Sequence, residues 1–468
     1  MKSVAIIGAG ITGLTAAFYL KRKGISVTVY EAGARAGGVI RSLRQNGFLA
    51  ESGPNTILET SPKIPQLVSD LNLESRRLYT NPNAKNRYIV RDQEPMAMPS
   101  SLLGFLTTKL FSAKAKLAVL REPFVPPRRD DADESVADFV ARRLNREFLE
   151  RAVDALVSGI YAGDPQKLSV RHALPKLFEI EQKYGSLIRG QIFGASERKK
   201  SGEISRRDAK MLSFDEGLQV LPDALAAQLG DSLKLNSPVE KITKTENGWL
   251  ISTTNGDAEF DTVIYCGTAH KLAELEIDFG RAVLPRSLEV SAAQQHRPTA
   301  IFSEIRYAPV ASVVLGFRRE DVAHPLDGFG MLIPKIENFK ILGSIFSSSL
   351  FPNRAPENSV VITSYIGGER HPELTLKSPD ELVAMTRDDL RILLGVKDEP
   401  VFKNVALYPK AIPQYNVGYG KFKQAMNEIE AKADGFFLAG HYRDGVSLGD
   451  SIVSGCNVAE HVENFLSK

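Results

Sequence analysis

The chain has 468 residues, of which 43% are apolar and 25% charged, and its 59 basic and 56 acidic side chains leave a net charge of +3. That length exceeds one simple core and predicts two or three domains, while the near-balanced charge argues against a global nucleic-acid surface. Two cysteines, Cys266 and Cys456, form neither a disulfide framework nor a metal-site spacing, and no apolar run approaches the ~20 residues of a spanning helix.

The chain opens with an apolar strand, Val4–Ile7, and the turn Gly8-Ala9-Gly10-Ile11-Thr12-Gly13-Leu14. A helical run to Lys23-Gly24 and a second strand, Val27–Tyr30, end in Glu31. Each piece has a separate job in holding a dinucleotide. Gly8 permits a sharp turn, Gly10 a close approach of backbone to pyrophosphate, and Gly13 close packing of helix on strand. The helix N-terminus offers N–H groups to the phosphates. Glu31, eighteen residues after Gly13, stands where an acid accepts hydrogen bonds from a ribose. An acid there would repel a 2′-phosphate, which favours FAD or NAD over NADP. The strand so near the first residue leads us to expect no signal peptide, and the sparse cysteines lead us to expect a reducing, cytoplasmic setting.

After Glu31 comes Ala32-Gly33-Ala34-Arg35-Ala36-Gly37-Gly38-Val39, a second glycine loop with an arginine. A longer cofactor needs such a loop for its second phosphate and ribitol, so FAD is preferred to NAD. Gly53-Pro54-Asn55-Thr56 then forms a stiff loop of small residues suited to the approach of a flavin ring. Residues 98–206 read as helical, with Asp130–Ser135 preceding a helix through Val136–Val140, and the charged stretch Arg198–Arg207 reads as a solvated linker. A helix ends near Leu229. Lys234–Ile242 reads as one strand, Asn255-Gly256 as a hairpin turn, and Asp261–Cys266 as a buried strand. Residues 300–370 are strand-rich, and the chain closes with the strand Phe436–Gly440, a Gly-rich loop and a helix from about Ser451 to Leu466.

Cofactor-type elements at the start, middle and end predict a discontinuous Rossmann-like FAD-binding domain. We expect an α/β fold with an inserted mixed β-sheet substrate domain and a helical domain of membrane-associated type. The boundaries are 1–80, 207–297 and 403–468 for the first, 81–97 and 298–402 for the second, and 98–206 for the third.

On these motifs, together with Asn86-Arg87-Tyr88-Ile89-Val90, Ser158-Gly159-Ile160-Tyr161-Ala162-Gly163-Asp164-Pro165 and Tyr442-Arg443-Asp444-Gly445-Val446-Ser447-Leu448-Gly449-Asp450, the chain resembles the protoporphyrinogen oxidase family of amine-oxidase-like flavoproteins. The resemblance runs nearly end to end. It implies FAD, oxygen-dependent oxidation of protoporphyrinogen IX to protoporphyrin IX with release of H₂O₂, and a place in heme biosynthesis. It implies cofactor contacts at Gly8, Ala9, Gly10, Thr12, Gly13, Leu14, Glu31, Ala32, Arg35, Gly38, Val39 and Gly53 to Thr56. Val239 is expected to present its backbone to the adenine, and Gly440 and Val446-Ser447-Leu448 to close over the flavin. Arg87 is expected to pair with a substrate carboxylate. Leu332, Ile345 and Tyr365 stand at the positions that sandwich the macrocycle, where plant-type members commonly have Leu and Phe in the last two. Gly159 and Ala162-Gly163 would let backbone lie close to the ring. His441 and Cys456 receive no catalytic role, no general base is named, and no metal is expected.

Coproporphyrinogen III oxidation to coproporphyrin III in the same fold is the rival reading. Another amine-oxidase-like enzyme, or a flavin-binding protein without turnover, is remoter. The expected partners are the tetrapyrrole and O₂, with no nucleic acid. Peripheral contact of Ser101–Phe111, Lys114 and Lys116 with a membrane surface, and a homodimer, are options left open.

Overall fold

The computed structural model describes residues 2–201, 209–280 and 298–468, with the side chains of 195–201 excepted. Five parallel strands form one sheet in the order Leu233–Lys234, Ser26–Tyr30, Ser3–Ile7, Thr262–Tyr265, Phe436–Leu438. Its central strand is buried from Val4 to Ile7, as its unbroken apolar run requires of a parallel sheet covered on both faces. Segments more than 400 residues apart thus share one sheet. The same closure joins the first helix, Ile11–Arg22, to the last, Leu448–Leu466. Gly455 makes that contact close, since a Cβ there would lie 2.5 Å from the Thr12 carbonyl oxygen, and the Thr12 hydroxyl donates to Ser451 O at 3.0 Å.

The single strand expected over Lys234–Ile242 is two strands in different sheets. Leu233–Lys234 joins the parallel sheet, and Val239–Lys244 joins a four-stranded sheet with Trp249–Thr253, Gly256–Phe260 and Glu276–Asp278. Asn236 in the left-handed region (φ +50°) and Pro238, which has no N–H, break the ladder between them. The hairpin is also shifted by one residue. Thr253 pairs with Gly256, so Thr254-Asn255 makes the turn and Gly256 opens the next strand.

A seven-stranded sheet has the order Phe402–Pro413, Tyr307–Arg318, Ser359–Gly367, Ile341–Ile345, Gly328–Leu332, Asn86–Arg91, Glu94–Ala97. All neighbours are antiparallel except Gly328–Leu332 with Asn86–Arg91. Phe402–Pro413 therefore belongs with this sheet, whereas the expected boundary at 403 places it in the cofactor domain. A boundary read from composition does not register that nine of this strand's twelve residues pair with Tyr307–Arg318. One face of the sheet is covered by the helix Pro379–Leu394, started by a Ser378–Glu381 capping box and ended at Gly395 (φ +63°). Leu382, Leu390 and Leu393 of that helix pack with Tyr88, Val313 and Met331.

Between Leu102 and Ser201 the described chain is built of short helices, including Ala113–Arg121, Val136–Arg143, Asp154–Tyr161 and Leu187–Ser201. Ser112 and Ser135 cap two of them by accepting an N–H three residues on. Arg143 and Glu122 are fully buried as a pair, and Glu181 joins them. The last helix runs into the expected linker: residues 198–201 are helical, and 202–207 lie outside the described residues, as do the expected borders at 206/207 and at 297. Among the described residues no helix is long and apolar enough to cross a membrane.

Candidate functional site

The first glycine turn has the shape its sequence predicts. Gly8 has φ +104°, and a Cβ on Gly13 would stand 2.1 Å from Gly8 O, a contact no side chain tolerates. Gly10 is different: a Cβ there would meet nothing within 4 Å. Its open side lies at the N-cap of the helix Ile11–Arg22, which has no side-chain cap and no acid in its first turn. The free N–H groups of that turn and its positive dipole end suit a phosphate. Glu31 is held beside the turn by two backbone donors, Ala9 N at 2.9 Å and Gly33 N at 2.8 Å. Asn236 N donates to Gly33 O and Ser237 N to Glu31 O, which brings the start of the Val239–Lys244 strand alongside the acid.

The second loop closes on the first. Gly38 (φ +58°) would place a Cβ 3.4 Å from Gly10 Cα. Arg35 bonds to the carbonyls of Ala36, Gly38 and Ile40, so its guanidinium shapes the loop that was expected to receive a cofactor. Ala32, Gly38 and Val39 are exposed around it.

Gly53 packs against this loop, its missing Cβ being 2.3 Å from Val39 O. Asn55 is buried and bonded across the molecule. Its Nδ2 donates to the Tyr365 hydroxyl at 2.7 Å, and its Oδ1 faces the hydroxyls of Ser347 (3.4 Å) and Thr363 (3.5 Å). Glu51, just before, is buried and, among the described residues, has no ion pair. Burial pushes its carboxyl up to about 7, against the opposing pull of the Ser42 hydroxyl, Leu218 N–H and Arg354.

The C-terminal loop is braced from the chain before it. Arg443 pairs with both oxygens of Glu430 (2.6 and 2.8 Å), and the hydroxyls of Tyr419 and Tyr415 donate to the carbonyls of Tyr442 and His441. Gly440 N donates to Ser454 Oγ. Ser447 and Asp450 form a capping box, which starts the last helix at Leu448, three residues earlier than expected, and occupies the Ser447 hydroxyl. Burial pushes the His441 imidazole down to about 4 and the Cys456 thiol up to about 12, so the first is neutral and the second un-ionised near neutral pH.

Strand register brings four of the five expected substrate residues onto one face of the seven-stranded sheet. Arg87 pairs with Gly330, Gly330 with Ile345, and Ile345 with Thr363. The next row along the strands is Ile89, Leu332, Gly343 and Tyr365. Paired residues and residues two apart share a face. Arg87, Leu332, Ile345 and Tyr365 therefore line one wall, with glycines at 330 and 343 between them. Arg87 is exposed and, among the described residues, its side chain has no hydrogen bond or ion pair; its guanidinium lies 6.0 Å from the Phe329 ring centre.

The helix Asp154–Tyr161 lies against this wall. It is clamped by Asp154 Oδ2, which accepts from Arg370 (2.9 Å) and from Lys335 N (2.7 Å). The expectation for Gly159 changes in kind. A Cβ there would lie 2.6 Å from Leu332 Cδ2, so its bareness admits a protein side chain. Gly163 is filled around by Gln414 and Leu168, and Ala162 ends the helix in the left-handed region (φ +46°); neither is bare wall for a ring. Leu156, one turn before Gly159, is 43% exposed on the same side and was not expected. Ser347, Thr363 and the Asp154–Arg370 clamp were also missed. The sequence signal for Thr363 is the period-2 alternation of the strand Ser359–Gly367, which puts it on the same face as Tyr365.

The Flavin containing amine oxidoreductase family model matches residues 11–463. Protoporphyrinogen oxidase 2, chloroplastic/mitochondrial, of Arabidopsis thaliana is 35% identical, covering 99% of this chain and 94% of that protein. Coproporphyrinogen III oxidase of Bacillus subtilis (strain 168) is 28% identical, covering 97% and 96%. A crystal structure from Exiguobacterium sp. 255-15 matches with a TM-score of 0.81 at 23% identity, over 100% of this chain and 99% of that one, which shows the shared fold.

Proposed function

Because the chain belongs to the flavin containing amine oxidoreductase family and is an FAD-dependent oxidoreductase, we propose that its substrate is a porphyrinogen and that protoporphyrinogen IX is oxidised to protoporphyrin IX. The observation that carries this reading is the shared wall of Arg87, Leu332, Ile345 and Tyr365, joined to the Gly53–Thr56 loop by the Asn55–Tyr365 hydrogen bond. A flat apolar macrocycle with carboxylate arms needs aliphatic and aromatic walls and a cation. Leu332 and Ile345 supply the walls, and the unpaired Arg87 supplies the cation.

FAD, when bound, supplies a hydride acceptor for the weak C–H bonds at the bridging carbons. The uncapped helix at Gly10, the Glu31 carboxylate, the loops Arg35–Val39 and Gly53–Thr56, Val239 and the Gly440–Leu448 loop would hold it. Arg87 orients the macrocycle by its propionates, and the Leu156–Gly159 side of the helix faces the wall and limits water. Three two-electron oxidations complete the porphyrin, each consuming one O₂ and releasing one H₂O₂.

Relatives named for protoporphyrinogen oxidation, 33–35% identical across 99% of the chain, support this substrate. Bacterial relatives named for coproporphyrinogen III support the rival at 28% and 30% identity. The test is the rate of porphyrin fluorescence with each porphyrinogen under air. No rate above spontaneous oxidation with either would end the reading, and a faster coproporphyrinogen rate would transfer it to the rival.

We also infer the three-domain division expected above, with the second boundary moved to follow the strand Phe402–Pro413. Leu102, Leu103, Leu106, Leu117, Leu120 and Phe124 are exposed on the helical part beside Lys109 and Lys114. That pattern supports peripheral contact with a membrane surface.

A further inference from the structure

We propose that the Tyr365 hydroxyl is a positioning group that fixes the Asn55 carboxamide and thereby ties the pose of the cofactor-facing loop to the sheet that carries substrate. This rests on the reading that residues 53–56 lie along the flavin.

A carboxamide has two donor hydrogens and one acceptor oxygen, so its partners decide which way it faces. Two hydroxyls, Ser347 Oγ and Thr363 Oγ1, stand within 3.5 Å of Asn55 Oδ1, and with one proton shared between them the other is left to donate to it. They hold each other at 3.0 Å, so they form one side of the site. The Tyr365 hydroxyl stands on the other side, 2.7 Å from Nδ2. With Nδ2 donating to it, the tyrosine proton is left to the Gly53 carbonyl at 3.4 Å. One oxygen therefore touches both the side chain of Asn55 and the main chain of Gly53, 310 and 312 residues away.

The ring and the hydroxyl of Tyr365 have separable jobs. The ring is wall, sharing its row with Leu332 and Gly343. A phenylalanine would supply the same wall. The hydroxyl adds only the link to the loop, and burial pushes its ionisation up, so it stays a neutral donor and acceptor throughout the working pH range. Among the described residues the Asn55 amide has no alternative partner of comparable strength: its other contact, Gly53 O, is at 3.5 Å.

The experiment uses the holoenzyme without any porphyrinogen, so it does not depend on which substrate is turned over. The visible flavin spectrum and the FAD dissociation constant are measured for wild type, Tyr365→Phe, Asn55→Ala and the double variant. We expect a shifted flavin band in Tyr365→Phe and an FAD dissociation constant raised roughly three- to tenfold, the worth of one ordinary hydrogen bond. The double variant should match Asn55→Ala alone, because both changes cut the same link. If Tyr365→Phe is too unstable to hold FAD, Ser347→Ala frees the carboxamide from the other side and should shift the band likewise. A wild-type spectrum and affinity in Tyr365→Phe, or effects of the two variants that multiply, would overturn the proposal. If Asn55→Ala itself leaves both readouts unchanged, the placement of the loop along the flavin falls as well. Absent porphyrinogen oxidation by wild type would sink only the substrate assignment.

Discussion

Replacing Gly159 by alanine perturbs the contact between helix and substrate wall at one atom. The new Cβ would lie 2.6 Å from Leu332 Cδ2, and carbon atoms prefer about 3.5–4.0 Å, so the two must part by about 1 Å. The obstacle is the end of a flexible leucine, and Gly159 sits inside the helix Asp154–Tyr161 with ordinary dihedrals. Alanine improves helix propensity by about 1 kcal/mol, while overpacking costs about 1–3 kcal/mol. The net loss of stability is then about 0–2 kcal/mol, and the fold survives. Leu332 yields by swinging over Gly330 and Gly343, where no side chain stands, and so intrudes on the space in front of the wall. We expect KM for the porphyrinogen to rise about tenfold, equivalent to about 1.4 kcal/mol, with bound FAD and its spectrum unchanged. Steady-state porphyrin fluorescence with a parallel flavin count reads this. Adding Leu332→Ala to Gly159→Ala should recover part of the affinity, since the clash is then absent. An unchanged KM, a proportional loss of FAD, or simple additivity of the two substitutions would refute the geometry.

Arg87→Ala removes the exposed, unpaired cation of the wall. It should raise KM about tenfold while the rate of flavin reduction at saturating substrate stays within about twofold; an unchanged KM would count against a carboxylate partner. Glu51 predicts the pH dependence of stability. Its folded pKa, about 7, lies above the ordinary carboxylate value of about 4.3, so the folded state binds the extra proton between them. The stability it contributes is full below about pH 4.3 and is lost as pH rises through 7, about 4 kcal/mol in all. Glu51→Gln should therefore flatten the fall in Tm between pH 5 and 8, and an identical slope in wild type and variant would contradict the burial argument. For the membrane surface, co-sedimentation with anionic vesicles should fall at least tenfold in Leu102→Gln/Leu103→Gln, as each exposed leucine contributes about 1.5–3 kcal/mol when buried. Wild type that stays in the supernatant would remove the idea.

Much of the cofactor end was legible in the sequence because its constraints are local. Gly8, Gly13 and Glu31 lie within 24 residues of one another, and each is required by backbone geometry or by one contact inside a strand–helix–strand unit. The cap at Ser135 follows the same logic, whereas the one at Ser447 was not read and the last helix starts three residues early. The misreadings have local causes too: Lys234–Ile242 has a strand's composition, but Asn236 and Pro238 break it, and a period-2 pattern cannot say which sheet a strand enters.

The amino-acid order by itself determined that a dinucleotide turn exists, that an acid stands where it disfavours a 2′-phosphate, and that strands and helices alternate around it. Only the tertiary structure decided that Arg87, Leu332, Ile345 and Tyr365 share one wall, that Arg35 spends its hydrogen bonds on its own loop, that Gly159 makes room for Leu332, and that Asn55 reaches Tyr365. The physical reason is register. A strand's alternation fixes which residues share a face, but pairing with strands hundreds of residues away fixes what that face meets, and a slip of one residue would turn every one of these side chains to the other side.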